Sequence, residues 1–277
     1  MAGTLYVVAT PLGNLGDLSA RATEVLRTVP VVAAEDTRRT RGLLTHLGAT
    51  PQLLSYHAHS EERRREALLD ILRDGRDVAL VSDAGTPVVS DPGSDLVAAA
   101  RAAGIGVVPI PGPSAVATAL SAAGLRGDRY LFLGFIPRKG GERGRLLARA
   151  CAEEWSVVFF EAPPRLTDLL EDLARVAGGA RRAVVARELT KLHEELRAGT
   201  LDELAGYYSE HPPRGEVTLV LEGTGAPEAP PDRTAEAVEQ ATRLLAEGLT
   251  RREVARRVTE TLGLPRNDAY RLVMELP

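Results

Sequence analysis

Short apolar runs alternate with longer amphipathic runs along the first half of the chain. The apolar runs are TLYVVAT, PVVAAED, QLLSYHAH, DVALVSD and GIGVVPI. Short apolar runs bounded by turn residues are typical of buried strands, and the 3.6-residue period between them predicts helices. Strands that alternate with helices predict a parallel, doubly wound α/β sheet.

Helix-start signals refine this first half. Ser19 is placed to cap a helix that runs through Val29, and Thr37 to cap a helix that stops at Gly48. Two further helices are predicted over Ser60–Asp74 and Ser94–Ala103. The pair Ser90-Asp91, followed by Pro92, is interpreted as the start of the second of these helices.

The alternation begins again near Leu125. Strands are predicted at RYLFLGF, WSVVFFEA, RRAVVARELT and GEVTLVLEG. Helices are predicted over Arg143–Glu153, the run PPRLTDLLEDLARVAG and Leu201–Glu210, with some antiparallel strand pairing. Beyond a Pro/Gly-rich stretch, three short amphipathic helices are predicted. The expected organisation is an α/β domain over 1–124, a second over 125–222, a linker over 223–232 and a helical segment over 233–277.

Composition excludes several classes of protein. The 277 residues are 44% hydrophobic and 26% charged, and no apolar run approaches the ~20 residues of a membrane helix. The start of the chain lacks the basic region of a signal peptide, and a single cysteine rules out an internal disulfide. We expect a cytoplasmic protein without a structural metal. The net charge of −4 does not by itself indicate nucleic-acid binding.

Familiar catalytic motifs are missing, and small-residue loops at strand ends take their place. The chain has no G-x-G-x-x-G after its first strand, no G-x-x-x-x-G-K-[ST] and no G-x-S-x-G. The loops are TPLGNLGD, AEDTRRT, SDAGTPVVSDPG, PGPSA, FEAPPR and ARELTK. Each alone fits an ordinary turn or helix start. Together, at the carboxyl ends of strands, they predict a ligand cleft.

These loops, with their neighbours, resemble the tetrapyrrole methylase superfamily, and within it the RNA-modifying branch. The matching runs are VATPLGNLGDLS, AAEDTRRTRGLL, SDAGTPVVSDPG, PIPGPSAVATALSAAGL, FLGFIPRKGGER and FFEAPPRL. The resemblance covers nearly the whole chain in order. It implies two α/β domains of the tetrapyrrole methylase type with the cofactor cleft between them, in a homodimer.

The resemblance also implies an activity and a set of site residues. The implied activity is S-adenosylmethionine-dependent 2′-O-methylation of a cytidine in the decoding centre of 16S ribosomal RNA, expected in the assembled 30S subunit. The positions carried over to the cofactor cleft are Pro11, Asp83, Ala84, Gly85, Val89, Ser114, Ala115, Glu161 and Leu189. Asp83 is expected to accept hydrogen bonds from the ribose or the ammonium group of the cofactor.

One departure from the family pattern bears on the substrate. Members that modify tetrapyrroles typically carry G-x-G-P-G-D after the first strand, whereas this chain has Ala9 at the start of that loop and Asn14 at its acidic position. The departure favours RNA over a tetrapyrrole. A methyltransferase of tetrapyrroles or other small substrates, and a non-catalytic RNA-binding protein, stay as alternatives.

A ribose hydroxyl must lose its proton during attack. Either a side chain acts as the base, or alignment of the reacting groups accounts for catalysis without one. The candidates for the base are Glu35, Asp36 and Lys191, each near a strand end. The alternative reading is an ion-pair network with Arg38 and Arg39.

RNA contact is expected at a basic segment near the cleft. Its cations are Arg138, Lys139, Arg143, Arg145 and Arg149. Three glycines interleave them, so the segment is interpreted as a phosphate-binding lip; the alternative is a solvated helix face. The run TRREVARRVTETLGLPRNDAYRL resembles a small helix-turn-helix whose charges nearly cancel.

Overall fold

The computed structural model describes residues 2–57, 61–225, 234–262 and 266–276. The chain divides into two compact units, residues 1–224 and residues 225–277. The first unit holds both sheets, and the second is helical.

The first sheet of the first unit is parallel throughout. Its strands are β1 (Thr4–Val8), β2 (Val31–Ala34), β3 (Gln52–Ser55), β4 (Val78–Val81) and β5 (Gly106–Ile110). They lie in the order β3-β2-β4-β1-β5, so the chain reverses its direction of winding beside β1. The helices that follow these strands are α1 (Ala20–Thr28), α2 (Thr37–Leu47), α3 (Glu61–Arg73), α4 (Ser94–Ala102) and α5 (Ala115–Ala123). The predicted doubly wound sheet is confirmed.

The N-terminal caps of α1 and α2 can be compared with the caps predicted from the sequence. Ser19 caps α1 by accepting the backbone N–H of Ala22 at 3.1 Å, as expected. The cap of α2 is Asp36 rather than Thr37, because the Asp36 carboxylate accepts the N–H of Arg38 at 2.8 Å. A carboxylate at that place also meets the positive end of the helix dipole.

The helix predicted over Ser94–Ala103 is confirmed as α4, but the interpretation of Ser90-Asp91 as its start is wrong. The helix begins at Ser94, preceded by Gly93, and Ser90-Asp91 lie outside it. The reason is the backbone before it, where Val88 has φ 74° and Ser90 has φ 65°. These left-handed residues cannot continue into a helix, so the chain turns before α4 begins.

The second sheet is mixed. Its strands are β6 (Tyr130–Phe135), β7 (Ser156–Glu161), β8 (Arg182–Arg187), β9 (Glu195–Thr200) and β10 (Val217–Leu221), in the order β6-β7-β10-β8-β9. Only β6 and β7 pair in parallel. Its helices are α6 (Gly141–Ala152), α7 (Leu166–Ala177) and α8 (Leu201–Glu210), with a 3₁₀ turn over Pro163–Arg165 before α7. Strand β9, ELRAGT, was not predicted, because an edge strand with a half-polar sequence lacks a clear apolar run.

A shared hydrophobic core joins the two sheets into one unit. Helix α5 packs against β10 and β8 of the second sheet. Its Val116 and Leu120 are buried together with Leu12 from the first half and with Val184 and Val220 from the second. The predicted boundary between residues 124 and 125 falls where α5 leads into β6. The cleft between the halves therefore has a rigid apolar base.

The second unit is a small helical bundle. It consists of α9 (Thr234–Ala246), α10 (Arg251–Leu262) and α11 (Arg266–Glu275), as the three predicted amphipathic segments required. Its core includes Leu244, Val254, Val258 and Val273. The centre of the proposed helix-turn-helix, residues 263–265, and most of the predicted linker lie outside the described residues.

None of the helices in the described residues combines the length and the hydropathy needed to cross a membrane. The same residues contain no group of three or more His, Cys, Asp and Glu side chains placed to hold a metal ion.

The turn before α4 generates a prediction about stability. Gly93 has φ 129°, and a Cβ there would lie 2.7 Å from Cδ2 of the buried Leu80. Gly93→Ala therefore combines backbone strain with overpacking and should lower the free energy of unfolding by about 2–4 kcal/mol. The matched control is Gly124→Ala, at φ 65° with open space around the new Cβ, which should cost only about 1–2 kcal/mol. Denaturant unfolding measures both; equal losses would contradict the packing argument.

Candidate active site

A cavity of about 440 Å³ lies between the strand-end loops of the two sheets. Most of the residues predicted to contact the cofactor line it: Asp83, Ala84, Val89, Ser114, Ala115 and Glu161. The apolar part of its wall is formed by Leu12, Phe135, Phe160 and Val217. The cavity lies at the carboxyl edge of the first sheet, where ligands bind in open α/β sheets.

Three loops of the first half are bonded to one another behind this wall. Thr10 and Gly85 exchange both backbone hydrogen bonds, with N···O distances of 2.8 and 3.0 Å. The Thr10 hydroxyl donates to the carbonyl of Ser82 at 3.2 Å, and the Thr86 hydroxyl donates to that of Pro113 at 3.1 Å. The loops after β1, β4 and β5 therefore form one connected edge.

Three residues predicted to contact the cofactor do not line the cavity. Pro11 and Gly85 belong to the connected loops, and Gly85 has φ 77° with Leu12 directly beside it. Leu189 is buried in the shared core with Leu12. These three residues support the wall, and a direct role for each in cofactor binding stays a prediction.

Carboxylates dominate the polar lining. Glu35, Asp83, Asp91 and Glu216 all face the cavity. Arg39 is shared between two of them, with Nη1 3.6 Å from Asp83 and 3.8 Å from Glu216. Asp83 also accepts the backbone N–H of Asp36 at 2.9 Å. The cavity therefore favours cationic and hydroxyl-bearing ligand groups.

Glu161 forms the opposite wall with a fully buried side chain. It bonds to Arg165 at 3.0 Å and accepts the backbone N–H of Ala162 at 2.8 Å. Burial still raises the pKa of this carboxyl above its usual value. Arg165 also donates to the carbonyl of Ile136. This pair fastens the end of β7 to the end of β6.

The three predicted bases have different surroundings. Burial, and next the charge of Asp83, raise the pKa of Glu35, which faces the cavity. The hydrogen bond from Arg38 lowers the pKa of Asp36 to about 2, and Asp36 does not line the cavity. Asp36 thus fits the ion-pair and capping alternative, and its low pKa argues against a base.

Lys191 also lies outside the cavity lining. Burial lowers the pKa of its ammonium group, but hydrogen bonds to Glu188 at 2.8 Å and to Glu216 at 3.2 Å outweigh burial and raise it. The side chain packs against Gly13, where a Cβ would lie 2.2 Å from the Lys191 Cγ. A permanently protonated lysine serves as a cation that orients Glu216 and not as a proton acceptor.

Asp91 and Glu216 are the two cavity-facing carboxylates that were not among the predicted site residues. Burial, and next the charge of Glu35, raise the pKa of the Asp91 carboxyl to about 6. The only signal for Asp91 in the sequence was the second Ser-Asp pair in SDAGTPVVSDPG, which fits a helix start equally well.

The predicted RNA-binding cations are divided by the structure. Arg143 donates to Asp172 through Nη2 at 2.5 Å and through Nε at 2.9 Å, and only 12% of its side chain is exposed. Arg138, Lys139, Arg145 and Arg149 are exposed. Arg138 also lines a second cavity of about 430 Å³, together with Arg165, beside the first. Arg143 therefore has a structural role, while the other four remain accessible.

The chain that carries this site is similar to a known protein family. A family model described as Tetrapyrrole (Corrin/Porphyrin) Methylases matches residues 4–205. The chain belongs to the tetrapyrrole methylase family. The family predicted from the strand-end loops is confirmed.

Relatives within the tetrapyrrole methylase family match nearly end to end. A protein of Synechocystis sp. named ribosomal RNA small subunit methyltransferase I is 46% identical, over 99% of this chain and 98% of its own. A protein of the same name from Micromonospora olivasterospora is 48% identical, over 98% of this chain and 86% of its own.

A solved structure of the tetrapyrrole methylase fold is also similar. It is a uroporphyrin-III C-methyltransferase of Thermus thermophilus in complex with S-adenosylhomocysteine, 20% identical, with a TM-score of 0.60. The match covers 79% of this chain and 97% of that one. At this identity the likeness concerns the fold, and it confirms the α/β class predicted from the sequence.

The cavity of this methylase fits a methyl donor of the S-adenosylmethionine type. Its carboxylates offer partners for a sulfonium, an ammonium group and ribose hydroxyls, and Leu12 and Phe160 offer an apolar face for a purine. The side chains of Ala84 and Ala115 in the cavity wall are small, so a ligand can approach the backbone there.

The Arg143–Asp172 pair generates a prediction about stability. Arg143→Ala should lower the free energy of unfolding by about 1–3 kcal/mol, because it leaves Asp172 without its strongest partner. Arg145→Ala, two residues away on the exposed face of α6, should change it by less than about 0.5 kcal/mol. Urea unfolding at one ionic strength compares them, and an effect of Arg145 as large as that of Arg143 would refute the structural assignment.

Proposed function

We propose that this chain transfers a methyl group from S-adenosylmethionine to the 2′-oxygen of a cytidine in the decoding centre of 16S ribosomal RNA. The observation that carries the proposal is the end-to-end match to methyltransferases named for small-subunit ribosomal RNA, which cover 98–99% of this chain at 46–48% identity. The substrate is the assembled 30S subunit, and the enzyme acts in the cytoplasm as a homodimer.

The acidic cavity supports this reaction by its electrostatics. S-adenosylmethionine supplies a methyl group on a sulfonium cation, and the charge disappears as the methyl group is transferred. Glu35 and Asp83 attract the cation into the cleft, and Leu12 and Phe160 exclude water from its apolar side. Alignment of the reacting groups between the two sheets contributes the largest share of the barrier reduction, roughly 7–11 kcal/mol.

The cavity and its rim have opposite charge, which suits a ribose on a polyanion. Carboxylates line the cavity, so phosphates are repelled from it, while exposed Arg138, Lys139 and Arg145 lie on the segment before and within α6. Arg138 lines the second cavity, whose lining includes Ala162 of the first. A strand of RNA held at this rim presents a single ribose to the acidic interior.

A methyl-transfer assay tests the reaction and the substrate together. We expect purified protein to methylate unmodified 30S subunits, with the methyl group on a ribose 2′-oxygen of one cytidine, mapped by resistance to alkaline cleavage. Free 16S RNA and a tetrapyrrole such as uroporphyrinogen III are the competing substrates. Transfer to the tetrapyrrole instead of RNA would favour the small-substrate alternative, and binding of 30S subunits without transfer to any substrate would favour a non-catalytic binder.

The rim generates a prediction about salt dependence. Replacing Arg138, Lys139 and Arg145 with Ala should flatten the slope of log affinity for 30S subunits against log salt by roughly two to three units, because each lost phosphate contact removes about 0.7–0.9. The control replaces the exposed Arg21, Arg64 and Arg101 on α1, α3 and α4, with the same change in total charge. An equal flattening in both triple variants would mean that net charge alone, not this rim, sets the slope.

A further inference from the structure

The segment that joins β4 to α4 is strained where it faces the cavity. Val88 and Ser90 both have left-handed backbone, which is unfavourable for a residue with a Cβ and most of all for a β-branched one. Strain of this kind persists only where the surroundings hold it, and it is common at functional sites.

Packing from both sheets holds the strained segment. On one side, Gly93 fits closely against Leu80 of β4. On the other, the Ser90 hydroxyl lies against Gly134 of β6, where a Cβ would be 2.8 Å from the oxygen. The two halves of the first unit together therefore fix the segment in this conformation.

The consequence of the strain is the position of Asp91. Its side chain faces the cavity beside Val89 and Ser90 instead of starting α4. The Ser82 hydroxyl, which donates to the carbonyl of Ala84 at 3.3 Å, lowers the pKa of Asp91 but does not outweigh burial. Among the described residues, no cation lies within ion-pair distance of Asp91, so its oxygens remain available to a ligand.

The other charged groups that face the cavity are already engaged. Arg39 is shared by Asp83 and Glu216, and Arg165 is bonded to Glu161. Glu35 accepts a hydrogen bond from the backbone of Asp83, and the charge of Arg39 lowers its pKa, whereas the neighbouring charges that act on Asp91 are negative.

We propose that Asp91 is the general base that accepts the proton of the attacking ribose hydroxyl. The inference rests on the proposed function. As the bond from the ribose oxygen to the methyl carbon forms, the carbon–sulfur bond breaks and its electron pair returns to sulfur. The hydroxyl proton passes to the Asp91 carboxylate and from there to solvent, which regenerates the base.

The surroundings give Asp91 suitable basicity. Burial and the negative charges of Glu35, Asp83 and Glu216 raise its pKa to about 6. A carboxyl with that pKa is ionised at neutral pH and accepts a proton more readily than an ordinary aspartate. Asp36, whose pKa is about 2, and Lys191, whose pKa is raised, lack this combination.

Single-turnover methylation of 30S subunits, measured from pH 5 to pH 9, tests the proposal. The wild-type rate should rise with pH and level off above about pH 7, because the base must be deprotonated. Asp91→Asn should lower the rate at saturating S-adenosylmethionine by about 10²–10⁴-fold and remove the rise, while calorimetry shows a change in affinity for S-adenosylmethionine far smaller than the loss of rate. Asp91→Glu, which keeps a carboxylate, should recover part of the rate.

Two further variants make the assignment specific. Asp95→Asn, an exposed aspartate in the first turn of α4, should leave both the rate and its pH profile unchanged. Glu35→Gln removes a negative charge that raises the pKa of Asp91, so the acidic limb should move to lower pH. If Glu35→Gln abolishes the limb while Asp91→Asn keeps it, Glu35 is the base and the proposal is overturned.

A measurement without substrate separates this inference from the proposed function. Carbon-13 NMR of aspartate carboxyls in the free protein should show one resonance that titrates near pH 6 and is missing in Asp91→Asn. If wild-type protein does not methylate RNA, the proposed function fails whatever this titration shows. If wild-type protein methylates RNA and Asp91→Asn does so at the same rate with the same profile, only the base assignment fails.

Discussion

The reciprocal backbone pair between Thr10 and Gly85 is the constraint on which the site depends. It joins the loop after β1 to the loop after β4, at the place where the sheet reverses its winding. Together with the bond from the Thr10 hydroxyl to the Ser82 carbonyl, it fixes the loop that carries Asp83 and Asp91 relative to the loop that carries Leu12. Both bonds of the Thr10–Gly85 pair are between backbone atoms, so they do not depend on which side chains the two residues carry. They do depend on the backbone conformation of Gly85, whose positive φ favours glycine.

An acidic cavity in a stable fold needs surroundings that hold its carboxylates in place. Glu35, Asp83, Asp91 and Glu216 repel one another, and Arg39 compensates only two of them directly. The repulsion is contained because α5 and the second sheet share a buried apolar core with Leu12 directly behind the wall. The fold thus holds carboxylates together at a cost in stability that a cationic ligand would relieve.

Much of the fold could be predicted from the pattern of the sequence, and the exceptions have physical causes. The buried parallel strands were predictable because runs such as VVAA and VALV are apolar on both faces. Strand β9 was not, because its edge position leaves polar residues such as Glu195 and Arg197 along it. The cap of α2 was shifted by one residue, since Asp36 and Thr37 are both good capping residues and only the backbone conformation distinguishes them.

The site was predictable where the family motif specifies it and not where backbone strain does. Asp83 and Glu161 face the cavity at positions that the motif supplied. Asp91 could not be assigned to the cavity from the sequence, because Ser-Asp-Pro normally starts a helix. No sequence pattern predicts the left-handed backbone at Val88 and Ser90. Gly134 and Leu80, which belong to different sheets, hold the strained segment in place. The position of Asp91 therefore depends on the packing of both halves. Without the contact from the second sheet, the segment between β4 and α4 would relax into the helix start that its sequence favours. The Asp91 carboxylate would then leave the cavity.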